Sequence, residues 1–346
     1  MAFGVAVLGT GRIGGRYIDV VKKTPGADMK VVAEPTEDAA ARWRSRHPDV
    51  DFVSDYREAL ERGDVDVVIG TLPHWLHYQA ALDAAAAGKH IYMEKPLAAW
   101  AWQAEEMLAA ARESGVRLMT AHTQRYFPAV EAMKGVVDRG DLGQAIMACD
   151  MWHKSYVPYN RPEWMLDRDR GGGMGQMDGT HQIDRLLWII GNDVATVSAQ
   201  QGQFTYPKSE HPAIDCDDTG MYFIRWRSGI VATVSRIAWE RGATEYGGDW
   251  FFTRGMARFR LPYGGGDPPA LFIADTPDGT WRREDVPVRD SLLDEFTDFI
   301  ESLERGDEDT PIPQVHGLNV LRVLEATEAS ARTGREVVLD LESEGE

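Results

Sequence analysis

The sequence predicts an α/β protein in which a helix-covered parallel sheet is followed by a second, mainly antiparallel sheet. In the first 123 residues short β-branched runs alternate with helical stretches, which is the pattern of a parallel sheet. After residue 123 strand-like runs follow one another across short turns, as in an antiparallel sheet. The length of 346 residues fits two domains. We therefore predict one domain over residues 1–123 and another over residues 124–346.

The first predicted domain has five strands and four helices. The strands are short apolar runs, as expected of strands buried on both faces: Val5–Leu8, Lys30–Ala33, Val65–Ile69, His90–Met93 and Arg117–Thr120. The stretches between them are predicted to be helical: Ile13–Lys23, Ala39–Arg46, Leu76–Ala87 and Gln103–Glu113. Gly88 follows the third of these helices in the position of a C-cap.

The second predicted domain combines seven strands with four helices. Its strands are Gln144–Trp152, Thr196–Phe204, Gly220–Trp226, Ile230–Ile237, Asp249–Thr253, Met256–Leu261 and Leu271–Asp275. Its helices are Pro128–Arg139, Thr180–Ile190, Ser291–Arg305 and Leu318–Thr333.

Composition excludes several classes of function. The chain has 55 acidic and 37 basic residues, a net charge of -18, which would repel nucleic acid and anionic membranes. Cys149 and Cys216 are too few for a disulfide scaffold and lack the spacing of zinc ligands, so no metal site is expected. The first residues lack a basic segment, and no run approaches the roughly 20 apolar residues of a membrane span. We expect a cytoplasmic protein.

A glycine-rich motif lies between the first predicted strand and the first predicted helix. Residues 9–14 read GTGRIG, a G-x-G-x-x-G in which glycines allow a tight turn and a close approach to a pyrophosphate at the helix N-terminus. The motif predicts dinucleotide contacts by Gly9, Gly11, Arg12, Ile13 and Gly14.

Glu34 extends this prediction to the adenosine ribose. It ends the second predicted strand, 20 residues beyond Gly14, where a carboxylate can accept hydrogen bonds from ribose hydroxyls. Because Glu34 would repel a 2′-phosphate, the sequence favours NAD over NADP. Arg42 or Arg44 swinging toward a phosphate is the alternative that would admit NADP.

Four further motifs occur in order along the chain. The first contains AGKH at residues 87–90 and EKP at residues 94–96, and the second reads RYFP at residues 125–128. In the third, GGG at 171–173 precedes GTHQID at 179–184, and in the fourth a last helix leads into TGREV at 333–337. Together with the glycine motif, this pattern resembles the glucose-fructose oxidoreductase and inositol dehydrogenase (Gfo/Idh/MocA) family over nearly the whole chain.

The resemblance implies a fold, a cofactor and a substrate class. The fold is an N-terminal Rossmann domain and a C-terminal α/β domain built on an open, mainly antiparallel sheet, with a pyridine nucleotide in the cleft between them. Members oxidise or reduce a hydroxyl or carbonyl carbon of sugars, inositols and related polyols. The large sheet commonly mediates oligomers in this family, so a homodimer or homotetramer is expected.

Lys95 and His181 are the first catalytic candidates. Lys95 follows the fourth strand, at the carboxyl edge where ligands of open α/β sheets bind. His181 opens a predicted helix and can exchange protons near neutral pH. The family usually has an aspartate four residues before this histidine, where this chain has Met177, with Asp178 one residue later. Either Asp178 reaches the site through a backbone shift or it faces elsewhere, and the 100° rotation per helical residue favours the second.

Other positions are assigned by the same resemblance or, for His153, Tyr156 and Arg161, by the clustering of aromatic residues before the glycine run. The expected cofactor contacts are Thr71, Pro73, His74, Glu94, Lys95, Gln124 and Trp164. The expected substrate contacts are Lys95, Arg125, His153, Tyr156, Arg161, Met177, Asp178 and His181, several of them in an aromatic-rich stretch of the kind that stacks on sugars. For Arg125 the alternative is pairing with an interdomain carboxylate. For His77, in the helix that starts there, a structural role is as open as a functional one.

The sequence is consistent with three functions. The first is NAD-dependent hydride transfer between nicotinamide and a secondary hydroxyl or carbonyl of a sugar, inositol or glycoside. The second is redox-cycling elimination or glycoside cleavage, in which the hydride returns to the substrate. The third is a non-catalytic nucleotide-binding regulator, which the retention of Lys95 and His181 disfavours.

Overall fold

The chain forms two compact units. The computed structural model describes residues 2–155, 161–239, 244–262 and 268–344. One unit contains the described residues of 1–123, 290–318 and 344–346, and the other contains those of 124–289 and 319–343.

The described residues form fifteen strands. They are β1 (Phe3–Leu8), β2 (Ala27–Ala33), β3 (Asp51–Val53), β4 (Val67–Gly70), β5 (His90–Glu94), β6 (Leu118–Ala121), β7 (Ala145–Ser155), β8 (Val194–Gly202), β9 (Thr219–Trp226), β10 (Val231–Trp239), β11 (Glu245–Phe252), β12 (Gly255–Arg260), β13 (Ala270–Ala274), β14 (Arg282–Asp285) and β15 (Val337–Val338).

Nine α-helices accompany these strands in the same described ranges. They are α1 (Gly14–Lys23), α2 (Glu37–Arg46), α3 (Tyr56–Leu60), α4 (His74–Ala86), α5 (Ala101–Glu113), α6 (Pro128–Arg139), α7 (Thr180–Ile190), α8 (Ser291–Arg305) and α9 (His316–Thr333). A π-helical turn, Gly175–Gly179, runs directly into α7.

The first unit is a Rossmann fold. Its strands pair in parallel in the order β3-β2-β1-β4-β5-β6, the order of a doubly wound dinucleotide-binding sheet. β1 and β4 are almost wholly buried, as strands covered by helices on both faces must be. This confirms the predicted class of the first domain.

The second unit carries a nine-stranded sheet in its described part, in the order β14-β13-β12-β11-β7-β10-β9-β8-β15. All neighbours are antiparallel except β7 and β10, which run parallel. One face of this sheet packs on helices and is mostly apolar, with Trp226, Trp250 and Phe259 almost fully buried. The predicted mainly antiparallel sheet is confirmed.

The units differ from the predicted domains in residues 290–318 and, among the described C-terminal residues, in Glu344. Residues 290–318, predicted within the second domain, group with the first unit. Phe296 and Phe299 of α8 pack on Tyr92 of β5, and their ring centroids lie 5.3 and 5.5 Å from that of Tyr92. All three rings are buried. Burial of the apolar surface of the parallel sheet is therefore completed by α8, a helix that is distant in sequence.

Short edge elements were not predicted. β3 and β15 have three and two residues, too few for a periodic pattern, and β14 is largely exposed. Residues 262–269, whose glycine- and proline-rich composition predicts a loop, fall mostly outside the described residues. Among the helices that are described, none has the length and apolar character of a membrane span.

Candidate active site

The glycine motif forms the loop from β1 to α1. Gly9 has φ +92°, in the left-handed region that favours glycine. A Cβ on Gly14 would lie 2.2 Å from the Gly9 carbonyl oxygen, so the helix is too close for a side chain. A Cβ on Gly11, by contrast, would meet no atom of the described chain within 4 Å. The loop is tight on its protein side and open at Gly11, which fits a backbone that must approach a pyrophosphate.

Glu34 is held beside this loop. Its Oε2 accepts hydrogen bonds from the Thr10 amide at 2.9 Å and the Thr10 hydroxyl at 2.6 Å, and its Oε1 accepts one from the Thr36 amide at 3.0 Å. Burial acts to raise the pKa of Glu34, but the hydrogen bonds from Thr10 and Thr36 outweigh it and lower the pKa below its usual value. The carboxylate is therefore charged at neutral pH and fixed in orientation.

The loop after β4 lies next to the glycine loop. The Thr71 hydroxyl is 2.8 Å from the Gly9 carbonyl oxygen, so the loop after β4 is bonded directly to the glycine motif. Pro73 is the N-cap of α4, and His74, its first residue, is 8% exposed.

Glu94 and Lys95 stand at the carboxyl end of β5. Glu94 accepts a hydrogen bond from the Tyr17 hydroxyl at 2.8 Å and from the Lys95 amide at 3.2 Å. Burial raises the pKa of the Glu94 carboxyl, and the positive charge of Lys95 opposes that effect. Lys95 is thus placed beside a buried acid at the sheet edge that binds ligands in this fold.

In the second unit, Asp178 forms a buried ion pair with Lys154. Asp178 lies on the π-helical turn and Lys154 near the end of β7, and both side chains are less than a tenth exposed. Met177 packs instead with Met174 and Ala238. The turn thus places Asp178 against Lys154 and Met177 in an apolar cluster.

The Trp152 ring joins this pair to His181. The Lys154 ammonium lies 5.0 Å from the ring centroid of Trp152, and the His181 ring centroid is 6.0 Å away. Tyr246 stacks on Trp152 at 4.3 Å. Lys154 and His181 therefore both lie against the buried Trp152 ring, and Asp178 joins this group through its ion pair with Lys154.

The π-helical turn is hydrogen-bonded to Asp217, which is itself paired with a buried arginine. The Gly175 amide donates to Asp217 Oδ2 at 3.1 Å, and Asp217 forms an ion pair with Arg236, which is almost fully buried. Burial raises the pKa of Asp217, whereas Arg236 opposes the rise.

Gln124 and Arg125, predicted to contact cofactor and substrate, are used within the protein. Arg185 donates a hydrogen bond to Gln124, and the Arg125 Nε donates to Asp184 at 2.8 Å. Arg125 is 5% exposed. A buried guanidinium needs such a counter-charge. The observed partner is a carboxylate of the same unit, whereas the alternative predicted from the sequence was an interdomain carboxylate.

The predicted substrate residues before the glycine run are dispersed. His153 lies on the face of β7 opposite to Lys154, since successive strand residues alternate, and its Nε2 is 3.0 Å from the Ser235 hydroxyl. Arg161 and Trp164 are partly exposed. Tyr156 lies outside the described residues.

Sequence reasoning missed Thr10, Lys154, Asp217 and Arg236. Thr10 stands inside the glycine motif, so its proximity to Glu34 follows from the turn. Lys154 carried a detectable signal: two residues after Trp152, it shares the inward face once the strand is extended to residue 155. Asp217 and Arg236 had no such signal.

We expect alanine substitutions at two glycines of the motif to have different effects. Gly11→Ala should leave the melting temperature unchanged, since the added methyl meets open space, but should weaken dinucleotide binding by about tenfold, or about 1.4 kcal/mol. Gly14→Ala should lower the melting temperature itself. Calorimetric titration with NAD and thermal unfolding measure both effects, and unaltered NAD affinity in Gly11→Ala would contradict the assignment.

Comparison with known proteins gives the same picture. The model of the oxidoreductase family with an NAD-binding Rossmann fold, GFO_IDH_MocA, matches residues 3–122, and the model of the GFO/IDH/MocA C-terminal domain matches residues 130–256. A 1,5-anhydro-D-fructose reductase from Ensifer adhaerens is 32% identical over 216 residues, 62% of this chain and 63% of that protein.

Two further proteins match nearly the whole chain. The scyllo-inositol 2-dehydrogenase (NADP(+)) IolW from Bacillus subtilis is 25% identical, over 97% of this chain and 96% of that protein. A solved structure of levoglucosan dehydrogenase in complex with NADH and levoglucosan superposes with a TM-score of 0.85 at 23% identity, covering 98% and 99% of the two chains. Because both domain models match in order, the chain belongs to the GFO/IDH/MocA family of NAD(P)-binding oxidoreductases.

Proposed function

We propose that the protein is an NAD-dependent dehydrogenase or reductase that acts on a secondary hydroxyl or carbonyl of a sugar, inositol or glycoside. The observation that carries this proposal is the place of Lys95, at the carboxyl end of β5 beside the buried Glu94. The relatives described above are named for sugar-like and inositol substrates and for net oxidation or reduction, which favours hydride transfer over redox-cycling elimination.

The chain's own residues divide the remaining work. A bound nicotinamide supplies the acceptor or donor of the hydride. Lys95 takes the hydroxyl proton during oxidation and returns it during reduction, with His181 assisting. Asp178 and Lys154 offer an acceptor and a donor for neighbouring hydroxyls of the substrate. In the oxidative direction a C–H and an O–H bond break, and a carbonyl, a reduced cofactor and one proton form.

Removing the Lys95 ammonium should separate chemistry from binding. We expect Lys95→Ala to lose about 10²–10⁴-fold in turnover while it still binds NAD. Lys23→Ala, at an exposed lysine of the same unit, is the matched control. The assay incubates each protein with NAD and a panel of sugars, inositols and anhydrosugars and follows NADH absorbance. A fully active Lys95→Ala enzyme would remove Lys95 from the mechanism.

The cofactor preference is proposed to depend on Glu34. Because its carboxylate is charged and held by Thr10 and Thr36, a 2′-phosphate placed there is repelled. We expect NAD to bind at least about tenfold more tightly than NADP, and Glu34→Gln to narrow the difference. Fluorescence titration of each protein with both nucleotides measures the ratio, and equal affinities in the unsubstituted protein would refute this role.

The outer face of the second sheet is proposed to join copies of the chain into a homodimer or homotetramer. On β9, Met221 and Phe223 point outward and are 63% and 44% exposed, beside Ser235 and Thr233 of β10. Exposed apolar side chains of this size on one open sheet face are typical of an interface.

A charge on that face should break the assembly. We expect Met221→Glu to lower the molar mass measured by light scattering while the circular dichroism spectrum stays unchanged. Val288→Glu, at an exposed valine outside the sheet, should leave the mass as it is. A Met221→Glu protein that keeps the mass of the unsubstituted one would exclude this face as the interface.

A further inference from the structure

His77 occupies an unusual position between two loops of the first unit. It is the fourth residue of α4, and its side chain is fully buried. Its Nδ1 lies 2.9 Å from the Pro96 carbonyl oxygen, and its Nε2 lies 2.9 Å from the Leu72 carbonyl oxygen. One imidazole ring therefore contacts a backbone carbonyl on each side.

The two carbonyls belong to the loops that carry the proposed active-site residues. Leu72 follows β4 directly after Thr71, and Pro96 follows β5 directly after Lys95. β4 and β5 are neighbours in the sheet, so their carboxyl ends emerge side by side. His77 is thus a bridge between the loop bonded to the glycine motif and the loop that bears the lysine.

Pro96 cannot anchor its own loop through an amide, because proline has no N–H. The Lys95 amide donates to the Glu94 side chain at 3.2 Å, which is a contact within the same loop. The contact between Pro96 and the His77 ring, by contrast, reaches a different element, the first turn of α4. This bond ties the backbone next to Lys95 to the rest of the sheet edge.

We propose that His77 is a positioning residue for Lys95, holding the backbone after β5 through its ring. The proposal rests on the function assigned to Lys95. A ring with two protonated nitrogens donates to both carbonyls, whereas a neutral ring donates to one at a time. Burial lowers the pKa of His77, and the charge of Lys95 acts in the same direction, while the two carbonyls oppose both. His74 is a further titratable neighbour, with its ring centroid 5.6 Å from that of His77.

The reactivity of Lys95 provides a test that needs neither cofactor nor substrate. Competitive acetylation followed by peptide mass spectrometry compares Lys95 with the exposed Lys23 across neutral to alkaline pH. His77→Leu removes both ring contacts, and His77→Gln keeps an amide donor. His47→Leu is the matched control, since His47 is a buried histidine of the same unit that lies away from both loops.

We expect Lys95 to be acetylated at least about threefold faster in His77→Leu than in the unsubstituted protein, with a displaced pH profile. The His77→Gln protein should return to within about twofold of the unsubstituted protein, and His47→Leu should show no change. Hydrogen exchange of residues 94–98 should accelerate in His77→Leu alone. A purely structural histidine would lower the melting temperature without moving the Lys95 profile.

A folded His77→Leu protein whose Lys95 profile coincides with that of the unsubstituted protein would overturn the proposal. If His77→Leu does not fold, His77→Asn takes its place, because its shorter amide reaches only one carbonyl. Unchanged acetylation of Lys95 in His77→Asn would be equally decisive. Failure to find a sugar substrate would count against the proposed function but would leave these measurements intact.

Discussion

Parallel pairing of β1, β4 and β5 is the constraint on which the proposed chemistry of the first unit depends. Because these strands are neighbours and run in the same direction, their carboxyl ends deliver the glycine loop, Thr71 and Lys95 to one edge. The hydroxyl of Thr71 contacts the Gly9 carbonyl, and the ring of His77 contacts the loops after β4 and β5. The loops after β1, β4 and β5, which are neighbours along the sheet, are thereby joined by hydrogen bonds from the side chains of Thr71 and of His77 in α4.

The second unit depends on a different physical balance, that of buried charges. The inward face of β7 carries Asp150, Trp152 and Lys154 at every second position. Asp150 accepts two hydrogen bonds from Arg185, at 2.7 and 3.1 Å, and Lys154 pairs with Asp178. Removing one partner of such a pair typically costs about 3–5 kcal/mol, because the other charge stays buried. Orientation of the polar groups around Trp152 is therefore coupled to the stability of the sheet.

The sequence was informative where local geometry dictates the residue. The glycine motif and Glu34 were found because a tight turn beside a pyrophosphate admits few residue types, and Lys95 because strand ends define the ligand edge. The sequence was less informative where long-range packing decides. Arg125 and Asp184 are 59 residues apart in the chain, and the docking of Phe296 on Tyr92 spans about two hundred positions, so neither leaves a periodic signal. The π-helical turn likewise places Asp178 against Lys154 and Met177 in an apolar cluster, an arrangement that the geometry of a regular helix does not predict.

The proposed reaction is a hydride transfer coupled to a proton transfer at Lys95. Its most direct test places deuterium on the carbinol carbon of the sugar or polyol that the panel identifies and follows the label by mass spectrometry of the nucleotide. Hydride transfer requires one deuterium to appear in the reduced cofactor for each carbonyl formed. Deuterium that stays in the product or exchanges into water, with no reduced cofactor formed, would contradict it.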